Sequence, residues 1–170
     1  DPFFKLRDIK KPTPDRPYLL AQEAENDLTN LINNADAKNF SGAAFEKRIA
    51  EIGVKVDEAG IRNAVITEKE AMAYAECNNY EKAYEKLESL LCMEEARFSV
   101  RAMEQFCNIQ AKLCVKNWKA GIEKNRQIQY MQQAIHNLTE LMNMSPTAER
   151  LSIMGSAFKR KMIIDNSDKE

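Results

Sequence analysis

The sequence predicts an all-α fold: about seven helices paired into stacked hairpins that build a superhelix. Three observations point there. First, only 5 Gly and 5 Pro occur in 170 residues, and four of the prolines precede residue 18. That leaves too few turns for a β-fold. Second, apolar residues recur at spacings of three and four over most of the chain. Third, a pattern of small and aromatic residues occurs twice. Ala71 and Tyr74 are followed by Asn78-Asn79-Tyr80, then Ala83, Leu87 and Leu90. Gly155 and Phe158 repeat the first half, and Ala134, Leu138, Leu141 and Pro146 the second. A small side chain lets two helices approach, and a large one a turn later fills the gap beside it. Stacked helical hairpins require that alternation.

Residues 1–16 read as an extended Pro-rich linker, with Pro2, Pro12 and Pro14 among Arg7, Lys10 and Lys11. A first helix opens near Asp15–Pro17, because Pro is tolerated in a first turn. It carries Leu20, Ala24, Leu28, Leu31 and Ile32 on one face and stops at Asn33-Asn34. Ser41 is placed to cap a second helix with the stripe Ala44, Phe45, Arg48, Ile49 and Ile52, and Gly53 to stop it. Asp57 is expected to cap one further turn through Ile61 and Val65. Residues 17–66 thus form N-terminal helices packed on the array.

The array itself is expected over residues 67–164. Thr67 and Glu70 have capping-box spacing, so a helix should run from Thr67 to about Cys77. Asn78-Asn79 makes a turn, since Asn tolerates positive φ. The next helix covers Tyr80 to Cys92, with Ala83, Leu87, Leu90 and Leu91 inward. A long helix follows from about Glu95 to Trp118, carrying Phe98, Ala102, Phe106, Ile109, Leu113 and Val115, and Ala120-Gly121 ends it. Ile128, Met131, Ile135, Leu138, Leu141 and Met142 mark another. Ser145-Pro146 stops that one and opens the last, whose expected inner stripe is Leu151, Met154, Gly155 and Phe158. Residues 165–170 are polar and read as a frayed tail.

Composition bounds the function. The hydrophobic fraction of 44% argues against disorder. With 25 basic and 26 acidic residues the net charge is −1, which predicts no general attraction to nucleic acid or anionic membrane. No apolar run approaches the ~18 residues a membrane helix needs. Cys77, Cys92, Cys107 and Cys114 include no Cys-x-x-Cys pair, so they read as reduced thiols packed as small apolar groups in a cytoplasmic protein, without metal or other cofactor. His136 reads as a surface residue. The carboxylate pairs Glu68 with Glu70, Glu85 with Glu88 and Glu94 with Glu95 read as solvated helix faces, and Glu81, Lys82, Glu85 and Lys86 as a face of helical ion pairs. No catalytic constellation emerges. The chain starts Asp1-Pro2, which reads as a piece of a longer protein.

The segment Val65 to Met162 resembles the tetratricopeptide repeat. Ala71, Tyr74, Ala83 and Leu87 take the family's small, aromatic and large positions, and Ala83 follows Ala71 by 12 residues, as Pro146 follows Ala134. Ala134 follows Ala83 by 51 residues, beyond the family's ~34, so the long helix after Glu95 must absorb the excess. A narrower likeness joins Ser145-Pro146-Thr147-Ala148-Glu149-Arg150-Leu151, Gly155-Ser156-Ala157 and Lys159-Arg160. These are similar to a repeat segment of bacterial proteins with a caspase-like CHAT peptidase module.

The tetratricopeptide resemblance implies a concave face lined by the first helix of each hairpin. Mapped onto this chain, Glu68, Met72, Ala75 and Glu76 would face the groove in one unit, and Ser152, Ser156, Lys159 and Arg160 in the last. The expected activity is non-catalytic: binding a peptide or helix of a partner protein, with the alternative of a regulatory arm for a peptidase domain in the same polypeptide. Met93, Met103, Met131, Met142, Met144 and Met154 read as core filling.

Overall fold

The computed structural model describes residues 15–34, 42–93 and 99–166. Among them there are seven helices and no strand. The predicted linker through Pro14, the Ser41 cap, Glu94-Glu95, Phe98 and the tail beyond Asn166 lie outside the described residues.

Helix α1 (Arg16–Asn33) starts where Pro17 allows and is capped by Asp15, which accepts from the Tyr18 N–H at 3.1 Å. Leu28 is its fully buried anchor. Helix α2 (Gly42–Glu58) buries Phe45, Ile49, Ile52 and Val56, while Ala44 is exposed. Gly53 does not stop α2, and Asp57 caps nothing: both lie inside the helix. The left-handed position falls at Gly60, with φ 63°.

Helix α3 (Ala64–Glu76) begins three residues before Thr67. Asn63 is its cap, accepting from the Ile66 N–H at 2.9 Å, and the Thr67 hydroxyl folds back onto the Asn63 carbonyl. The expected capping box is therefore absent, because Asn63 already supplies the cap and Glu70 is spent on a buried ion pair. The turn at Asn78 is as expected: its φ is 63°, and Asn79 caps helix α4 (Tyr80–Leu91) through the Lys82 N–H. Leu91 is 47% exposed rather than inward.

Helix α5 (Val100–Lys119) is capped by Ser99 and ends at Gly121, with φ 85°. Helix α6 (Lys124–Met144) buries Met131, Ala134, Leu138 and Leu141, but leaves Met144 74% exposed. Helix α7 (Ala148–Asp165), capped by Thr147, corrects the reading most. Its inner residues are Arg150, Ile153, Ala157 and Ile164. Leu151 and Phe158 are exposed, and a Cβ added at Gly155 would meet nothing within 4 Å. The buried Arg150 sets the rotation of α7, so Ala157 makes the close contact assigned to Gly155.

The hairpins are α1–α2, α3–α4 and α5–α6, with α7 laid against α5 and α6. The odd-numbered helices follow one another along the array: α1 packs on α3, α3 touches α5, and α5 packs on α7. The small residues Ala71, Ala83 and Ala134 are fully buried, as the nesting of hairpins demands. Two apolar cores result, one around α1–α4 and one around α6–α7. Helix α5 feeds both. Ala102, Phe106 and Ile109 face the first, and Cys107, Ala111 and Cys114 the second.

Candidate functional site

Helices α3 and α7 carry the predicted groove residues, and their surroundings differ. On α3, Glu68 is half-buried and accepts the Ser99 hydroxyl at 2.7 Å, while Ser99 in turn caps α5 through the Ala102 N–H. Glu68 thus ties α3 to the start of α5. Met72 and Ala75 are half-buried against the first core, and Glu76 is exposed. On α7, Ser152 and Lys159 are exposed, and Ser156 and Arg160 are half-buried. The two groups stand on different helices with α5 between them.

Arg160 has the most unusual environment of the eight. Its Nη1 is sealed from solvent without a hydrogen-bond partner. Burial lowers the guanidinium's pKa, and the nearby Tyr80 phenol pulls it back. Tyr80 opens α4 two residues after the left-handed Asn78, to whose Oδ1 it donates at 2.5 Å. From α5, Lys112 places its Nζ 3.2 Å from the same phenol oxygen and 4.5 Å from the ring centroid. Lys112 therefore engages the Tyr80 phenol directly, and Arg160 lies within electrostatic range of it. Tyr80 and Lys112 were not among the sequence candidates. The Asn78-Asn79 turn was legible and could have pointed to Tyr80, but Lys112 carries no local signal.

Glu70, which read as part of a solvated face, is buried in an ion-pair cluster, and Glu104 and Arg150 form a second buried pair. Glu70 is 1% exposed and receives Arg62 at 2.6 Å and Lys86 at 2.9 Å. Arg62 also binds Asp57 at 2.5 Å. The hydrogen bonds that Arg62 donates to Asp57 and Glu70 raise its guanidinium's pKa, and the bond from Arg62 holds Asp57 below the usual carboxylate range. Lys82 and Lys86 pair with Glu46 and Glu70 on other helices, and Glu81 with Lys116, so the expected ion pairs along α4 give way to pairs between helices. In the second half, Arg150 binds Glu104 and the carbonyls of Leu141 and Ser145, which closes the C-terminal end of α6. Arg150 thus holds α5, α6 and α7 together.

Nucleophilic chemistry finds no support in the thiols. Burial pushes Cys107 up to about 12 and Cys114 up to about 11, the opposite of an activated cysteine. Cys92 is exposed rather than packed. His136 is exposed on α6. Among the described residues no group of three or more His, Cys, Asp or Glu could hold a metal ion, and no helix is long and apolar enough to cross a membrane.

Paired helices nested on small residues define a tetratricopeptide-like array. Residues 79–170 match the family described as TPR-S, Tetratricopeptide Repeats-Sensor. The match spans more than half of the chain, and the chain belongs to that family. No curated protein and no solved structure matches it significantly.

Proposed function

We propose that this chain is a non-catalytic recognition module that seats a peptide or helix of a partner protein on the face of its odd-numbered helices. The observation that carries the reading is Arg160 on α7, which has one buried guanidinium nitrogen lacking an acceptor and lies within electrostatic range of the Tyr80 that Lys112 engages. A desolvated guanidinium gains most from a charged acceptor such as a carboxylate. Met72 and Ala75 supply partly open apolar surface on α3, and Glu68 and Glu76 an acidic border. An acidic anchor at Arg160 and apolar anchors along α3 would fix the direction of the bound segment.

The test is selection from a displayed peptide library, followed by binding measurements with Met72→Glu and Arg160→Glu. Enriched acidic peptides that lose at least tenfold in affinity for both variants, with helical circular dichroism intact, are expected. Equal binding by both variants would remove the face from consideration.

A second reading keeps the same face and places the partner in the same polypeptide, as a caspase-like peptidase regulated by this arm. Its support is the likeness of Ser145–Leu151 to CHAT-associated repeats. Reading the complete open reading frame decides it: a His and Cys dyad in an α/β context is expected, and an unrelated neighbouring domain would defeat it.

A further inference from the structure

Helices α4, α5 and α6 border a half-open cavity of about 310 Å³ whose lining includes neither Lys112 nor Arg160; Tyr84, Glu88, Gln110, Asn117, Gln127 and Tyr130 are among its walls. That size falls at the lower end for small-molecule sites. Two of the lining side chains are out of place by ordinary rules. Gln110 is 6% exposed and Gln127 2%, and in each the Oε1 is sealed from solvent with no hydrogen-bond partner. Buried polar groups are almost always paired, and both glutamines line this cavity, so a turn of either side chain would bring an unpaired acceptor to a donor entering there.

The rest of the wall narrows the donor's chemistry. Glu88 adds a carboxylate. Tyr84 is held by stacking on Phe106, with ring centroids 4.9 Å apart, and brings an aromatic face, as does Tyr130. Acceptors beside aromatic rings favour a cation with several N–H groups. Tyr130 already engages one such group on the outside, where Arg126 donates to its hydroxyl at 3.1 Å and lies 5.6 Å from the ring centroid. Arg126 is exposed there, so solvent and salt screen its charge from a second cation.

We propose that this cavity is a binding site for a guanidinium group, taken up between the Tyr84 and Tyr130 rings and hydrogen-bonded to Gln110, Gln127 and Glu88. The group belongs either to a small molecule or to an arginine side chain of a partner. Turning both amides over would replace the orphan oxygens with orphan N–H₂ groups and reverse the preference, so an anionic probe is the counter-test.

The experiment is a titration of the whole chain, followed by amide chemical shifts. The probes are methylguanidine, a blocked Gly-Arg-Gly peptide, methylurea as the neutral isostere, and acetate. Saturable shifts at cavity residues with methylguanidine or the peptide are expected, with methylurea at least tenfold weaker. Saturation by methylguanidine points to a small-molecule source, and by the peptide alone to an arginine side chain. Glu88→Gln, at an exposed position that should not disturb folding, and Gln127→Leu should each weaken binding tenfold or more. Arg160→Glu should leave it unchanged, which separates this site from the peptide face. Absence of saturable shifts, equal binding of methylurea, preference for acetate, or indifference to both cavity substitutions would each overturn the assignment.

Discussion

The carboxylate of Glu70 sits against the bare Cα of Gly53, its Oε1 2.7 Å from where a Cβ would stand. Arg62 and Lys86 pin that carboxylate from two other directions. Gly in a helix interior ordinarily costs ~1 kcal/mol relative to Ala. Here Gly53→Ala should reverse that sign. Displacing a pinned, buried carboxylate costs about 1–3 kcal/mol, as overpacking does, so a net loss of about 1 kcal/mol is expected. Urea unfolding measures it, and a more stable variant would show that Glu70 yields freely.

Removing one partner of the Glu104–Arg150 pair leaves a buried charge alone. Glu104→Ala should cost about 3 kcal/mol, which lowers the melting temperature of a domain this size by roughly 6–12 °C. The pair Glu104→Leu with Arg150→Met should recover part of that loss but not all. Arg150 also serves the Leu141 and Ser145 carbonyls, and Met cannot replace those bonds.

Acid should loosen the first half through Asp57. The hydrogen bond from Arg62 lowers its pKa below the ordinary 3.8. A carboxyl depressed in the folded state contributes stability above its unfolded value, and that stability disappears as pH falls through the folded value. Stability should therefore be level near pH 6 and decline below about pH 4. Asp57→Asn should make the decline shallower. The effect is modest because solvent reaches the Asp57 side chain, which is 61% exposed. Urea midpoints at pH 6 and pH 3 for both proteins give the answer.

The four thiols should separate cleanly under alkylation. Cys92 is exposed and should react with iodoacetamide at pH 8 first. Cys107 and Cys114 are buried and held protonated, so they should stay unmodified until denaturant is added. Mass spectrometry after a time course reads the order, and early loss of Cys107 would reveal opening of the second core.

Helix existence was legible because scarce Gly and Pro, together with three- and four-residue apolar spacing, leave few competitors. Asn78-Asn79 and Ala120-Gly121 were read at their true places, since a required positive φ leaves a mark in the sequence. Gly53 misled because glycine serves two purposes: chain reversal, and room for a neighbour. A single chain cannot say which until Glu70 is seen beside it. The rotation of α7 was misread for a related reason. Gly155 and Phe158 matched a pattern, but Arg150 decided the facing residues through a partner 46 positions earlier. Of the eight groove candidates, Arg160 proved the most distinctive, while Tyr80 and Lys112 come together only through packing between helices. Gln110 and Gln127 gave no hint at all, because a glutamine's missing partner is invisible without coordinates.

Helix α5 belongs to two apolar cores at once, and the Gln-lined cavity takes one wall from α4 and another from α6. The array thus consists of two blocks, each with its own core and buried ion pairs, that share α5. Whatever occupies that crevice would act as a wedge between the blocks. Its arrival or departure would bear on both cores at once, since Tyr84 and Leu113 pack on the first and Cys114 belongs to the second.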